Sequence, residues 1–149
     1  MEDEQIRIVK VDDAAFFIAD LFRRTFAESP PLTPVHYVAF YKATPALFEP
    51  IGYYHVDQRG EYALVGGLCV DPRYRQKGLG EQFSRIAFED ARENKAFFAY
   101  IGNPISDTIA RKIGYIETNQ KHLMVKWMKP LAAEERERII AEVAALGPF

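Results

Sequence analysis

At the start of the chain Ile6, Ile8 and Lys10 alternate with Arg7 and Val9, and this period of two predicts a first strand. Asp12 and Asp13 offer an N-cap, after which Ala15, Ile18, Ala19, Phe22 and Phe26 recur at the spacing of one helix face. The proline-rich run from Glu28 to Pro34 cannot be regular helix and reads as a loop. Three strands follow, over His36–Ala43, Pro50–Asp57 and Glu61–Val70. Asp57–Gly60 is the hairpin turn between the last two, and Thr44–Glu49 is a longer connection between the first two. Alternation places Tyr53, His55 and Asp57 on one face of the middle strand, with Tyr54 and Val56 on the other.

The pattern changes sharply between Gly66 and Arg92. Leu64, Val65, Leu68, Cys69 and Val70 form an apolar run suited to a strand covered on both faces, and Gly66-Gly67 within it suggests a bulge or the close approach of a ligand. Asp71-Pro72 ends that strand, since proline supplies no N–H to a ladder. From Leu79 the period becomes helical, with Leu79, Phe83, Ile86, Ala87 and Ala91 on one stripe. Between strand and helix stand Arg73, Arg75 and Lys77, then Gly78 and Gly80. Glycines admit close backbone approach, and the first N–H groups of a helix lack internal partners at the positive end of its dipole. The combination predicts an anion site, most naturally for phosphate or diphosphate. The glycine spacing fits neither a P-loop nor a dinucleotide fingerprint, whose third glycine would fall on Phe83.

Lys95–Ile101 is nearly all apolar, so strand, helix and strand together predict a right-handed βαβ crossover with parallel strands. Ser106 or Asp107 can cap a short helix carrying Ile105, Ile109 and Ile113, with Gly114 as its stop. Lys121–Lys129 reads as a last strand, and Leu131–Leu146 as an amphipathic helix whose apolar stripe packs on the body or forms a homodimer contact.

With 149 residues, 48% hydrophobic and 27% charged, one domain spanning 1–149 is expected. A net charge of −2 argues against general nucleic-acid binding. The one cysteine can form no internal disulfide, which points to the cytoplasm, and no apolar run approaches the ~20 residues of a membrane span. Cys69 is expected as a small core residue rather than a nucleophile.

Arg75–Gly80 is an R-x-x-G-x-G run preceded by V-D-P and opening a helix. Here the segment resembles the diphosphate-binding motif of the acetyl-coenzyme-A-dependent N-acetyltransferase superfamily, abbreviated GNAT. Gly102–Tyr115 is similar to that family's N-x-x-A-x-x-x-Y-x-x-x-G-F segment, matched at Asn103, Gly114 and Tyr115. It departs at Ser106, and at Ala110, where many members carry the tyrosine proposed to protonate the departing thiolate. The resemblance spans about Glu61–Tyr115. It implies an α/β (α+β) fold, with a mixed, mostly antiparallel sheet flanked by helices and the βαβ unit as the cofactor-binding part. It further implies acetyl-CoA as co-substrate, no metal, and a small-molecule or peptide amine as acceptor. Arg75, Gln76, Lys77, Gly78, Leu79 and Gly80 would hold the diphosphate. Main chain around Leu68, Cys69 and Val70 would meet the pantetheine arm and thioester, and Asn103 would also contact the cofactor.

The acid–base groups are less marked. His55 has a suitable intrinsic pKa, and Glu49 and Glu61 sit near strand ends, so these three are the candidate bases; a surface or structural role is the alternative for each. Phe40, Tyr41, Phe48, Tyr53, Tyr54 and Tyr62 could wall an acceptor pocket or simply pack a core. Two other functions compete with the enzyme: a CoA-binding sensor or partner subunit without catalysis, and an adaptor whose basic cluster meets an acidic partner or RNA.

Overall fold

The computed structural model describes residues 5–11, 35–75 and 78–147. The expected helix after Asp12, the proline-rich loop, and Gln76 and Lys77 lie outside the described residues, as do the side chains of Leu68 and Cys69. Among the described residues seven strands form one mixed sheet in the order β1-β2-β3-β4-β5-β7-β6. They are β1 (Ile6–Val11), β2 (Val35–Thr44), β3 (Leu47–Arg59), β4 (Tyr62–Val70), β5 (Ala96–Tyr100), β6 (Ile116–Glu117) and β7 (Leu123–Trp127). Among the described residues the helices are α1 (Leu79–Asp90), α2 (Pro104–Lys112) and α3 (Ala133–Leu146). β4 and β5 are parallel, as the crossover requires, whereas the β1–β2, β2–β3, β5–β7 and β6–β7 pairs are antiparallel.

The chain divides into two compact units, Met1–Asp57 with Gly67–Phe83, and Gln58–Gly66 with Ser84–Phe149. In the first unit, β2 and β3 bury Tyr37, Ala39 and Tyr54 toward one face and His36, Val38 and Tyr53 toward the other. The first turn of α1 packs on the former face: Phe83 stacks on Tyr54 with ring centroids 5.8 Å apart, and a Cβ at Gly52 would meet the Phe83 ring at 3.3 Å. Glycine at position 52 thus leaves room for the Phe83 ring, which would have to give by a few tenths of an ångström to admit a Cβ.

In the second unit, Tyr62, Leu64, Phe98, Leu123 and Val125 meet Ile139 and Val143 of α3. On the opposite face Phe88 packs edge-on against Phe97, with centroids 4.9 Å apart. The C-terminal amphipathic helix thus buries its stripe on its own unit, and the charges around it pair. Lys95 bridges Glu61 (2.8 Å) and Glu135 (2.5 Å), and Arg138 reaches Glu61 at 3.1 Å.

Three local expectations change. Thr44–Glu49 is a tight hairpin rather than a long connection, because β3 starts at Leu47 and Pro50 is tolerated inside it, where the β2–β3 register shifts opposite Phe40. Asn103, not Ser106 or Asp107, caps α2: its side-chain oxygen accepts the Ser106 N–H at 2.8 Å, and Pro104 occupies the first turn, where its missing N–H costs nothing. The two-residue β6 adds an edge strand too short to leave a periodic signal.

Candidate functional site

The end of β4 leads into a turn whose geometry is fixed by Asp71. Its N–H donates to the Ile51 carbonyl (2.7 Å), and its own carbonyl accepts from Tyr74 N–H (2.8 Å), closing the single 3-10 turn Pro72–Tyr74. The Asp71 carboxylate accepts from Arg73 at three places, the main-chain N–H (3.0 Å), Nε (3.1 Å) and Nη2 (3.0 Å). This pairing raises the Arg73 pKa further above its ordinary value. Tyr74 is backed by Tyr41, ring centroids 5.1 Å apart, and the Tyr41 hydroxyl donates to the Gln5 side chain (3.0 Å). Arg75 then folds back, its Nε donating to the Val70 carbonyl at 3.1 Å.

Gly78 has φ +78°, a left-handed value that suits glycine, and its carbonyl receives the Gln82 N–H (3.0 Å) that begins the ladder of α1. Leu79 and Phe83 are buried beneath this first turn. Arg75, Gly78, Leu79 and Gly80 are thus gathered where a strand end meets a helix N-terminus, an arrangement able to receive an anion through main-chain N–H groups. Among the described residues β4 pairs with β5 from Tyr62↔Ala96 to Leu64↔Phe98.

The acid–base candidates fall in different surroundings. His55 pairs across the strands with His36, and its ring lies 6.0 Å from that of Tyr53. Burial, reinforced by the His36 charge and opposed by Asp57, pushes its pKa from the ordinary 6.5 down to about 4. Nδ1 of His55 is buried without a hydrogen-bond partner among the described residues. In the folded state this imidazole is neutral near pH 7 and a weak base. Glu61 sits in the Arg138 and Lys95 ion-pair cluster, whose hydrogen bonds hold its carboxyl at about 2, so it too accepts a proton poorly. Glu49 is half-buried at the start of β3, across from Tyr41, and its charge bears on Arg73.

Because His55 is held below its unfolded value, the unfolded chain binds more protons between pH 6.5 and 4. Its contribution is therefore complete above pH 6.5 and is lost as pH falls toward 4, an effect on the order of 2–3 kcal/mol. Urea midpoints at pH 7 and 4.5 should separate less in His55→Leu than in the parent; equal separations would refute this.

In the second unit Ala110 is 4% exposed on α2 and supplies no proton donor. Tyr115, the next residue of interest, packs its ring 6.0 Å from Phe88 in the core. Tyr53, Tyr54 and Tyr62 are likewise buried core residues, whereas Phe48 is exposed. The side-chain oxygen of Asn103 is committed to capping α2. Sequence reasoning passed over a cavity of about 430 Å³ between Ile101, α2 and the β6–β7 connection. Its Asp107 and Glu117 are both engaged by Arg111, at 2.8 and 2.6 Å. Among the described residues no group of His, Cys, Asp and Glu is placed to hold a metal ion, and no helix is long and apolar enough to cross a membrane.

Residues 9–115 match the model of the acetyltransferase (GNAT) family. The chain belongs to that family. No curated protein sequence matches it. Among solved structures, the GNAT family N-acetyltransferase YhbS of Escherichia coli, in complex with CoA, is 17% identical with a TM-score of 0.63, covering 87% of this chain and 86% of that one. A GNAT family acetyltransferase of Streptococcus pneumoniae is 17% identical with a TM-score of 0.62, over 83% of this chain and 99% of its own. A GNAT family acetyltransferase of Brucella melitensis, in complex with acetyl-CoA, is 13% identical with a TM-score of 0.61, over 87% and 92%. At these identities the likeness establishes the shared GNAT fold, and the mixed sheet with its parallel β4–β5 pair conforms to it.

Proposed function

We propose that this GNAT protein is an N-acetyltransferase that moves an acetyl group from acetyl-CoA directly to the primary amine of a small-molecule or peptide acceptor. The observation that carries the reading is the V-D-P-R-Y-R-Q-K-G-L-G segment, whose described residues form a strand end, a braced turn and a helix N-terminus within the span matched by the family. Solved relatives with CoA or acetyl-CoA bound support the choice of co-substrate. Main-chain N–H groups at Gly78, Leu79 and Gly80 would receive the diphosphate, helped by the charges of Arg75 and Lys77 and by Gln76. Main chain at Leu68, Cys69 and Val70 would meet the pantetheine arm and polarise the thioester carbonyl, a role whose loss typically costs about 10²–10³ in rate. Acetyl-CoA supplies the activated acyl group.

The amine must lose a proton before attack. His55 and Glu61 are weak acceptors in this fold, which leaves Glu49 as the remaining candidate of the three. Orientation alone supplies on the order of 7–11 kcal/mol, so a sparse set of acid–base groups suffices for this chemistry. A single cysteine fits a reducing setting, the cytoplasm.

Thermal melting with acetyl-CoA, CoA, ATP and NAD tests the reading. A ligand at 100 times its Kd stabilises by about 2.7 kcal/mol, which for a domain of this size is a rise of roughly 2–8 °C. Acetyl-CoA and CoA should give it; a shift with ATP or NAD and none with acetyl-CoA would discard the proposal. Buried Ala110 favours a second reading, a CoA-binding subunit without catalysis. Thiol release across a panel of amines separates the two, since the subunit binds acetyl-CoA and consumes none.

A further inference from the structure

Asp71 lies outside the R-x-x-G-x-G run, yet it braces the turn that precedes it through its main chain and its carboxylate. Its side chain is 5% exposed, while that of Arg73 is 68% exposed. Two mobile surface side chains in an ion pair contribute little, but here one partner is held by burial and the other matches it as a fork. The pair ties the main chain of the turn at Arg73 to Asp71, and Asp71 N–H ties the turn to β3 at Ile51, 2.7 Å away. From this brace the chain continues to Arg75, which is pinned to the Val70 carbonyl. Because the Arg73 charge is balanced by a buried carboxylate, its part is geometric rather than a free attraction for phosphate. We infer that Asp71 is a positioning residue for the cofactor. Through Arg73 it fixes the turn that sets Arg75 at the end of β4, and through Ile51 it ties that turn to β3, the strand that also seats Phe83 of α1, without itself touching the ligand. This rests on the acetyl-CoA reading.

The test is calorimetric titration of acetyl-CoA into the parent, Asp71→Asn, Asp71→Ala, Arg73→Gln and the double variant Asp71→Ala/Arg73→Gln. Kinetics with an accepted amine and ligand-free melts accompany it. Asp71→Ala should weaken acetyl-CoA binding roughly ten- to a hundredfold, the scale of a displaced binding geometry. Asp71→Asn, which can still accept the Arg73 N–H, should fall between it and the parent. Arg73→Gln should reproduce much of the loss, and the double variant should bind no worse than Asp71→Ala, because both changes remove one brace. The KM for acetyl-CoA should rise while kcat at saturation and the amine KM stay put; a merely structural role would lower the folded fraction and leave the Kd of what remains unchanged. Should Asp71→Ala fail to fold, Asp71→Asn and the exposed Arg73→Gln carry the comparison. Parent-like affinity in the folded variants, additive losses, or a matching fall in kcat would overturn the inference alone. A parent that does not bind acetyl-CoA would overturn the proposed function and this inference with it.

Discussion

Gly80→Glu should abolish stabilisation by acetyl-CoA while leaving the unliganded protein as stable as before. Residue 80 is the second of α1. A carboxylate in the first turn of a helix interacts favourably with its dipole, by about 0.3–1 kcal/mol, so the helix itself does not suffer. The same carboxylate would stand where the diphosphate is to be received, and like charges brought together cost several kcal/mol, roughly a hundredfold or more in affinity. Melts with and without acetyl-CoA check both halves at once. A variant that retains the parent's ligand-induced shift would show that the cofactor binds elsewhere. A variant that simply melts early would mean that residue 80 serves packing rather than binding.

Phe83→Ala should produce the largest loss of stability, about 3–5 kcal/mol, the usual cost of emptying a buried phenylalanine site. Native stabilities are only about 5–15 kcal/mol, so a large part of the total is at stake. Phe83 is fully buried, stacked on Tyr54, and seated where Gly52 leaves no side chain. It anchors the very turn of α1 proposed to face the diphosphate, so the acetyl-CoA shift should shrink as well. Phe83→Leu, which keeps most of the volume, should lose well under half as much. Denaturant titration decides the matter: an alanine variant within experimental error of the parent would mean that the seat refills and that α1 is held by other contacts.

Much of this was legible in the sequence because periodicity reports burial directly. Leu79 and Phe83 announced the stripe of α1, the alternation of Tyr53 with Tyr54 announced the two faces of β3, and Gly114 marked the end of α2. What stayed hidden depended on choices between local alternatives of similar energy. Asn103, Ser106 and Asp107 are all good caps, and only the direction of the chain leaving β5 selects the first. Pro50 looks like a boundary until the irregular β2–β3 register gives it a place inside a strand. The alternation of β3 gives the face of His55, but its depressed basicity arises mainly from burial, reinforced by His36, nineteen positions away in sequence and opposite it in the sheet. Asp71 read as a strand terminator, and its grip on Arg73 follows from a turn whose shape no periodicity encodes.

The proposed use of β4 main chain by the donor bears on which acyl groups the protein would accept. A bare strand margin recognises the interval at which a partner's amides repeat and is indifferent to what hangs from them. If β4 meets the pantetheine arm as proposed, it would do so whatever acyl group terminates that arm. Discrimination between an acetyl and a longer acyl donor would then fall to the bulk of the neighbouring side chains rather than to the strand itself.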